Sequence, residues 1–171
     1  VFNAKDYLSE RVWVTARDGA RVPMSIVHHR DTPLNASAPL LLYGYGSYGI
    51  NVEPTFSSAR LSLLDRGFVF AIAHIRGGED LGRTWYEQGR MEHKLNTFTD
   101  FIDCAEFLVK ERYGDPKRMF CMGGSAGGLL VGAVANMRPD LWKAIVAEVP
   151  FVDVVSTMLD DSIPLTTGEF D

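Results

Sequence analysis

The strongest chemical signal in this chain is a serine set among small residues, Gly123-Gly124-Ser125-Ala126-Gly127-Gly128. It satisfies G-x-S-x-G in a context that gives the pattern mechanical meaning. Arg118-Met119-Phe120-Cys121-Met122 precedes it and reads as a buried strand, while Leu129 to Asn136 follows and reads as a helix. A serine at a sharp strand-to-helix turn needs small neighbours, because the backbone there is strained and crowded. The same turn pushes the hydroxyl outward as a nucleophile. The competing reading is a glycine-rich phosphate or dinucleotide loop. It fits worse: counted from Gly123, Ser125 takes the place of the second glycine of G-x-G-x-x-G, and no Walker lysine follows.

Acyl transfer from a serine needs a base, an acid that orients the base, and donors for the developing oxyanion. One donor is expected from the backbone N–H of Ala126, at the start of the helix. A second is expected from the loop Tyr43-Gly44-Tyr45-Gly46-Ser47-Tyr48-Gly49, whose glycines admit a close ligand and whose tyrosines carry O–H groups. A tyrosine-rich turn that only packs is the alternative, and composition does not separate the two. The base is harder to find. In the α/β-hydrolase order the acid and the histidine follow the serine, yet His28, His29, His74 and His93 all precede it. His28 and His29 fall in an early strand and read as structural or surface residues. His74 ends an apolar strand, and nothing in the order of elements makes it the base. His93 lies in Arg90-Met91-Glu92-His93-Lys94, which reads as a solvated charged loop. The chain supplies a nucleophile without a recognisable base.

These groups need a scaffold. Residues 1–10 read as a linker. Arg11 to Arg17 and Val22 to His29 are β-rich runs joined by Asp18-Gly19, a strong hairpin signal. After a loop from Pro33 to Pro39, Leu40-Leu41-Leu42-Tyr43 is a short apolar strand that delivers the tyrosine loop. Thr55 to Asp65 is expected to be helical, with Gly67 at its stop. Phe68 to Ala73 is a continuous apolar strand of the kind buried on both faces. Arg76-Gly77-Gly78-Glu79-Asp80 opens a long loop. Thr97-Phe98-Thr99-Asp100 fits a capping pattern for the next helix, with Asp in the usual place of Glu; behind it Phe101, Ala105, Leu108 and Val109 form one apolar stripe. Ala144 to Ala147 is the next strand. Strand and helix alternate at α/β spacing after an antiparallel opening.

Bulk composition is that of an ordinary globular domain: 171 residues, 46% hydrophobic, 23% charged, net charge −5. A mildly acidic chain gives no reason to propose nucleic acid or an anionic membrane as partner, and no apolar run is long enough to span a bilayer. Cys104 and Cys121 read as buried free thiols, which fits a reducing, cytoplasmic setting. The chain opens on Val1 rather than methionine, so part of a longer product is expected.

Tyr43-Gly44-Tyr45-Gly46, Ile75-Arg76-Gly77-Gly78 and the Ser125 turn together resemble the catalytic domain of the prolyl oligopeptidase family of serine peptidases, in order and spacing and over nearly the whole chain. Pro164-Leu165-Thr166-Thr167-Gly168-Glu169-Phe170 is similar to the oligopeptidase B branch, which cleaves peptides after Arg or Lys. The resemblance implies Ser125 as nucleophile, and Tyr45 as the hydroxyl that completes the oxyanion hole beside the Ala126 N–H. It implies Glu169 as the carboxylate for the basic P1 side chain, Asp171 as a second acid, and Tyr48 and Phe151 as aromatic walls of that pocket. A carboxylate pairs with guanidinium and aromatics stack on its plane, although Glu169 read by itself is a solvated loop acid. Some relatives place two acids near Glu53-Pro54-Thr55 for a basic residue upstream of P1; only Glu53 is acidic here.

The implied fold is α/β: an α/β-hydrolase fold with a mostly parallel doubly wound sheet and an antiparallel N-terminal hairpin, truncated at the C-terminus. Residues 11–171 would be the front portion of the catalytic domain. A preceding β-propeller, and a later segment carrying the acid and histidine, would complete the protein. Short basic peptides are the implied substrates, with no metal or cofactor. Two rivals stand beside this reading: an α/β-hydrolase acting on esters, and a piece that is non-catalytic as it stands.

Overall fold

Leu40-Leu41-Leu42-Tyr43 and Val69-Phe70-Ala71-Ile72-Ala73 have no polar face to turn to water, and they become neighbours at the centre of a sheet. In a computed structural model that describes residues 2–163, they form the parallel strands β3 (Leu40–Tyr43) and β4 (Val69–Ala73), with Leu40 opposite Val69. On its other side β3 pairs in parallel with β5 (Met119–Gly124), and β5 with β6 (Ala144–Glu148). The hairpin signal at Asp18-Gly19 is realised as antiparallel β1 (Tyr7–Thr15) and β2 (Arg21–His29), and β2 joins β4 antiparallel. The order β1-β2-β4-β3-β5-β6 is a mostly parallel doubly wound sheet with an antiparallel opening, as the sequence predicts. Among the described residues β6 pairs only with β5, and Val146 on it is 46% exposed.

The period of two along each strand divides the core between two faces. Leu40 and Leu42 face one way with Met24, Ile26, Ala71, Met119 and Cys121. They pack under Phe101, Ile102 and Leu108 of α3 (Leu95–Lys110) and Leu130, Val131 and Val134 of α4 (Ala126–Met137). Leu41 and Tyr43 face the other way with Phe70, Ile72 and Val27, under Leu61 and Leu64 of α1 (Ser58–Leu64). Burying one such apolar side chain contributes about 1.5–3 kcal/mol. Cys104 and Cys121 are buried and unpaired, as expected.

Four expectations need correction. Residues 7–10 are not linker: β1 begins at Tyr7, opposite His29, after a 3-10 turn over Ala4–Asp6. Leu8 to Arg11 are all exposed in that stretch, so no alternation marked it as strand. The first helix is shorter than Thr55 to Asp65, because Ser57 takes the cap and accepts from the Arg60 N–H at 3.2 Å. The long loop after Arg76 contains a helix, α2 (Arg83–Glu87). Finally, Thr97-Phe98-Thr99-Asp100 is no cap. α3 already starts at Leu95, and Thr97 and Asp100 are buried inside it. Their side chains are used in tertiary contacts with the loop after β4, which a local pattern does not reveal.

Candidate active site

β5 ends in the nucleophile turn. Ser125 sits between β5 and α4 at φ 54°, ψ −116°, a backbone region unusual for a residue with a Cβ. Its side chain is exposed and caps no backbone N–H of α4. Ala126, buried, is the first residue of α4, so its N–H stands at the positive end of the helix. The turn is clamped from outside. The Ser125 N–H donates to Glu148 O at 2.9 Å, and the Phe151 N–H donates to Ser125 O at 3.1 Å. Between those bonds Val149 is held at φ 39°, strained for a β-branched residue.

β3 delivers the tyrosine loop to the same place. The Gly44 N–H reaches Met122 O of β5 at 3.4 Å. The small residue in the first turn of α4 has a clear reason: a Cβ on Gly127 would lie 2.9 Å from Gly44 O and 3.4 Å from the Tyr45 Cα. Helix and loop approach backbone to backbone, which places half-buried Tyr45 against the turn that carries Ser125. Tyr43, on the neighbouring strand end, has its phenol pushed up by burial and then by the Glu148 carboxylate.

The loop after β4 supports the tyrosine loop from below. The Gly49 N–H donates to Gly77 O at 2.9 Å, and the Thr97 hydroxyl donates to Arg76 O at 2.7 Å. Arg76 is buried and bidentate on Asp100, with Nε 2.9 Å from Oδ2 and Nη2 2.6 Å from Oδ1; its Nη1 reaches Asp18 of the first hairpin at 2.6 Å. Asp100 holds the guanidinium charged well above its ordinary range, against the pull of burial. α3, the hairpin turn and the tyrosine-loop support therefore meet on one cation.

Of the sequence-predicted residues, Ser125, Ala126, Tyr45 and Phe151 come together. Tyr48 shares the loop of Tyr45, 45% exposed and at φ 55°. Glu53 is exposed, on the irregular stretch before α1, and makes no ion pair among the described residues. Glu169 and Asp171 lie outside the described residues. His74 is not available to Ser125: it is buried, its Nε2 lies 2.8 Å from Ser25 Oγ and its Nδ1 lies 3.0 Å from Asp80 Oδ1. A groove of about 510 Å³ between β1, β2 and α1 contains none of the predicted site residues; Ser25, Phe56 and Arg60 are among its walls.

Sequence reasoning missed Lys94 and misread Thr97. Lys94 reads as part of a solvated charged run, yet it is half-buried and its ammonium contacts the tyrosine loop. The one legible hint is local: no acidic residue stands three or four positions away to pair with it.

Comparison with known proteins finds relatives that match nearly the whole chain. Residues 54–171 match the model of the prolyl oligopeptidase family. The dipeptidyl aminopeptidase BI of Pseudoxanthomonas mexicana is 55% identical over 171 residues, 99% of this chain and 24% of that protein. Protease 2 of Moraxella lacunata is 55% identical over 170 residues, 99% of this chain and 25% of that protein. The solved oligopeptidase B of Leishmania major superposes with a TM-score of 0.94 at 56% identity, covering 98% of this chain and 23% of that one. That of Trypanosoma brucei, solved with covalently bound antipain, gives 0.94 at 55% identity, covering 98% and 24%. The chain thus spans about a quarter of the length of the relatives it matches. With the nucleophile turn, the tyrosine loop and the sheet order all in place, the chain belongs to the prolyl oligopeptidase family.

Proposed function

We propose that this chain is the nucleophile-bearing front portion of a peptidase catalytic domain that cleaves short peptides after Arg or Lys through an acyl-enzyme on Ser125. The observation that carries the reading is the exposed Ser125 at positive φ, packed through Gly127 against the backbone of Tyr45. Ser125 Oγ attacks the scissile carbonyl carbon and gives its proton to a histidine. The carbonyl π electrons move to oxygen, where the Ala126 N–H and the Tyr45 O–H receive the charge. Collapse expels the amine, which takes the proton, and water then releases the acyl group by the same steps. The triad acid and histidine belong to a part of the full-length protein outside this chain, as does a propeller that limits substrate size. The covalent antipain complex of the Trypanosoma brucei relative supports a covalent mechanism.

Selectivity for a basic side chain rests on Glu169 and Asp171, with Tyr48 and Phe151 as aromatic walls and Glu53 toward the residue upstream. A carboxylate that pairs with guanidinium discriminates against a neutral side chain, which leaves the carboxylate unpaired.

The test uses the full-length protein with matched peptides carrying Arg, Lys or Leu at P1 and a neutral ester. The Arg and Lys peptides should turn over at least about 100-fold better in kcat/KM than the Leu peptide, Glu169→Gln should erase most of that ratio, and Ser125→Ala should remove all turnover. Equal kcat/KM for the basic peptide and the ester would sink the basic-P1 reading. Peptides with free and with blocked N-termini separate internal cleavage from removal of dipeptides, the activity in the name of the Pseudoxanthomonas relative.

A further inference from the structure

Lys94 stands immediately before α3, with its ammonium on the loop that carries Tyr45. Its Nζ lies 2.5 Å from Gly46 O and 2.8 Å from Ser47 Oγ, and the Phe98 ring centroid is 6.0 Å away. The grip is on backbone and hydroxyl, not on a carboxylate: among the described residues Lys94 forms no ion pair. Glu92, beside it on the preceding turn with His93, forms no ion pair with it among the described residues, and three further charged groups around it are directed elsewhere. Arg90 lies over the Tyr86 ring, Arg76 is held by Asp100 and Asp18, and Glu79 stands against Gly49. Burial alone pushes the Lys94 ammonium down to about 8. A desolvated cation without a counter-ion is an expensive anchor for a surface loop, and ordinary packing does not call for one.

The carbonyl it grips belongs to the residue after Tyr45. Gly46 O is also the atom on which Gly77 closes and toward which the Thr97 hydroxyl lies at 3.4 Å. Gly46 O is thus held by Lys94, and Tyr45, one residue earlier, is packed on the other side by Gly127. A displacement of that peptide moves the Tyr45 phenol relative to Ser125.

We propose that Lys94 is a positioning residue for acyl transfer: by holding the Gly46 carbonyl and the Ser47 hydroxyl it fixes the Tyr45 loop, so that the phenol stays aimed at the oxyanion formed above Ser125. This rests on Tyr45 being an oxyanion donor. Because Lys94 works through Tyr45, its contribution appears in the transition state and vanishes once the phenol is gone. The interaction is strongest while the lysine is charged, since charge-assisted hydrogen bonds are roughly twice as strong as neutral ones.

The test measures kcat and KM of the full-length protein and its Lys94→Met, Tyr45→Phe and doubly substituted variants on one peptide substrate. Lys94→Met should lower kcat about 10- to 100-fold, with KM changed less than about threefold. The double variant should fall no further than Tyr45→Phe alone. A Lys94→Met kcat within about twofold of the parent, or losses that multiply in the double variant, overturns the proposal. Tyr45→Phe without effect instead removes the oxyanion reading beneath it, a distinguishable failure. Should Lys94→Met not fold, the pH profile decides. The unaltered enzyme should lose kcat on an alkaline limb centred near 8, and Lys94→Arg, which stays charged, should shift that limb upward. A profile flat through that range overturns the proposal as well.

Discussion

Gly77 faces the carbonyl of Gly46 with no room for a methyl group: a Cβ built on Gly77 would overlap Gly46 O and stand 2.7 Å from the carbonyl carbon. The residue is also at φ 100°, where a side chain is strained whatever the space. Gly77→Ala is therefore expected to push the tyrosine loop outward. The backbone strain alone is about 1–2 kcal/mol, and the overlap adds to it. Thermal unfolding should show a lower midpoint, and kcat on a peptide substrate should fall more than KM changes. An alanine variant with the parent's melting curve and kcat would show that the two loops are not mechanically coupled.

The strain at Ser125 predicts the opposite sign for stability. At φ 54° a residue with a Cβ stores about 1–3 kcal/mol, and the Ser125 hydroxyl caps no backbone group that would be lost. Glycine relieves the strain but adds about 0.5–1 kcal/mol of unfolded-chain entropy. Ser125→Gly should thus raise stability by about 1 kcal/mol in urea unfolding while removing turnover. A destabilised, inactive Ser125→Gly protein would mean that the turn is not strained.

The parts of this molecule legible in the sequence are those where one physical demand dominates. β3, β4 and β5 are apolar runs with nowhere to go but the sheet interior, and the Ser125 turn is marked by the small residues its geometry requires. What escaped is tertiary. Tyr7 to Glu10 extend β1 with four polar or exposed positions, so only pairing with β2 makes them a strand. Thr97 and Asp100 have the spacing of a helix cap, but Arg76 and the Gly77 loop claim their side chains. Lys94 looked solvated because its partners, Gly46 and Ser47, are almost fifty residues away in sequence. Long-range support of a loop leaves little local trace.

Burial pushes the Cys121 thiol up to about 12 and the Cys104 thiol well above its ordinary value. Both stay protonated at neutral pH, and the thiolate is the reactive form. Iodoacetamide at pH 8 should leave both unmodified in the folded protein and label both in urea, read by intact mass. Rapid labelling of either in the native state would contradict its buried environment.

Asp18 and Asp100 share Arg76, and the two ends of the network respond differently to substitution. Removing Asp100 leaves a buried guanidinium without its main partner, so Asp100→Ala should destabilise by about 3–5 kcal/mol. Asp18 is 43% exposed, and its carboxyl is held below its ordinary value chiefly by the hydrogen bond from Arg76. A depressed carboxyl contributes stability that is fully present above about pH 4 and is lost as pH falls through the folded value. Asp18→Asn should therefore flatten the acid limb of stability against pH, with a small effect at pH 7. An unchanged acid limb would place the acid sensitivity elsewhere.

Ser25, His74 and Asp80 have the connectivity of a Ser-His-Asp relay, at 2.8 and 3.0 Å, and Ser25 is among the walls of the groove of about 510 Å³. The relay lacks what acyl transfer requires beyond connectivity. Ser25 lies within the regular strand β2, not on a strand-to-helix turn like that of Ser125, whose own helix begins at the next residue. His74 is 2% exposed, and its carbonyl accepts from the Trp85 indole N–H at 3.0 Å, which ties it into the core. Its role follows as structural: it satisfies two polar side chains where the loop supporting the tyrosine turn leaves β4. His74→Leu should cost about 1–3 kcal/mol, because Ser25 and Asp80 each lose a partner. kcat on a peptide substrate should stay within about threefold of the parent at a temperature where the variant is folded, since a structural residue does not act on the transition state. Loss of turnover of the size produced by Ser125→Ala, in a folded His74→Leu protein, would instead make His74 part of the catalytic machinery.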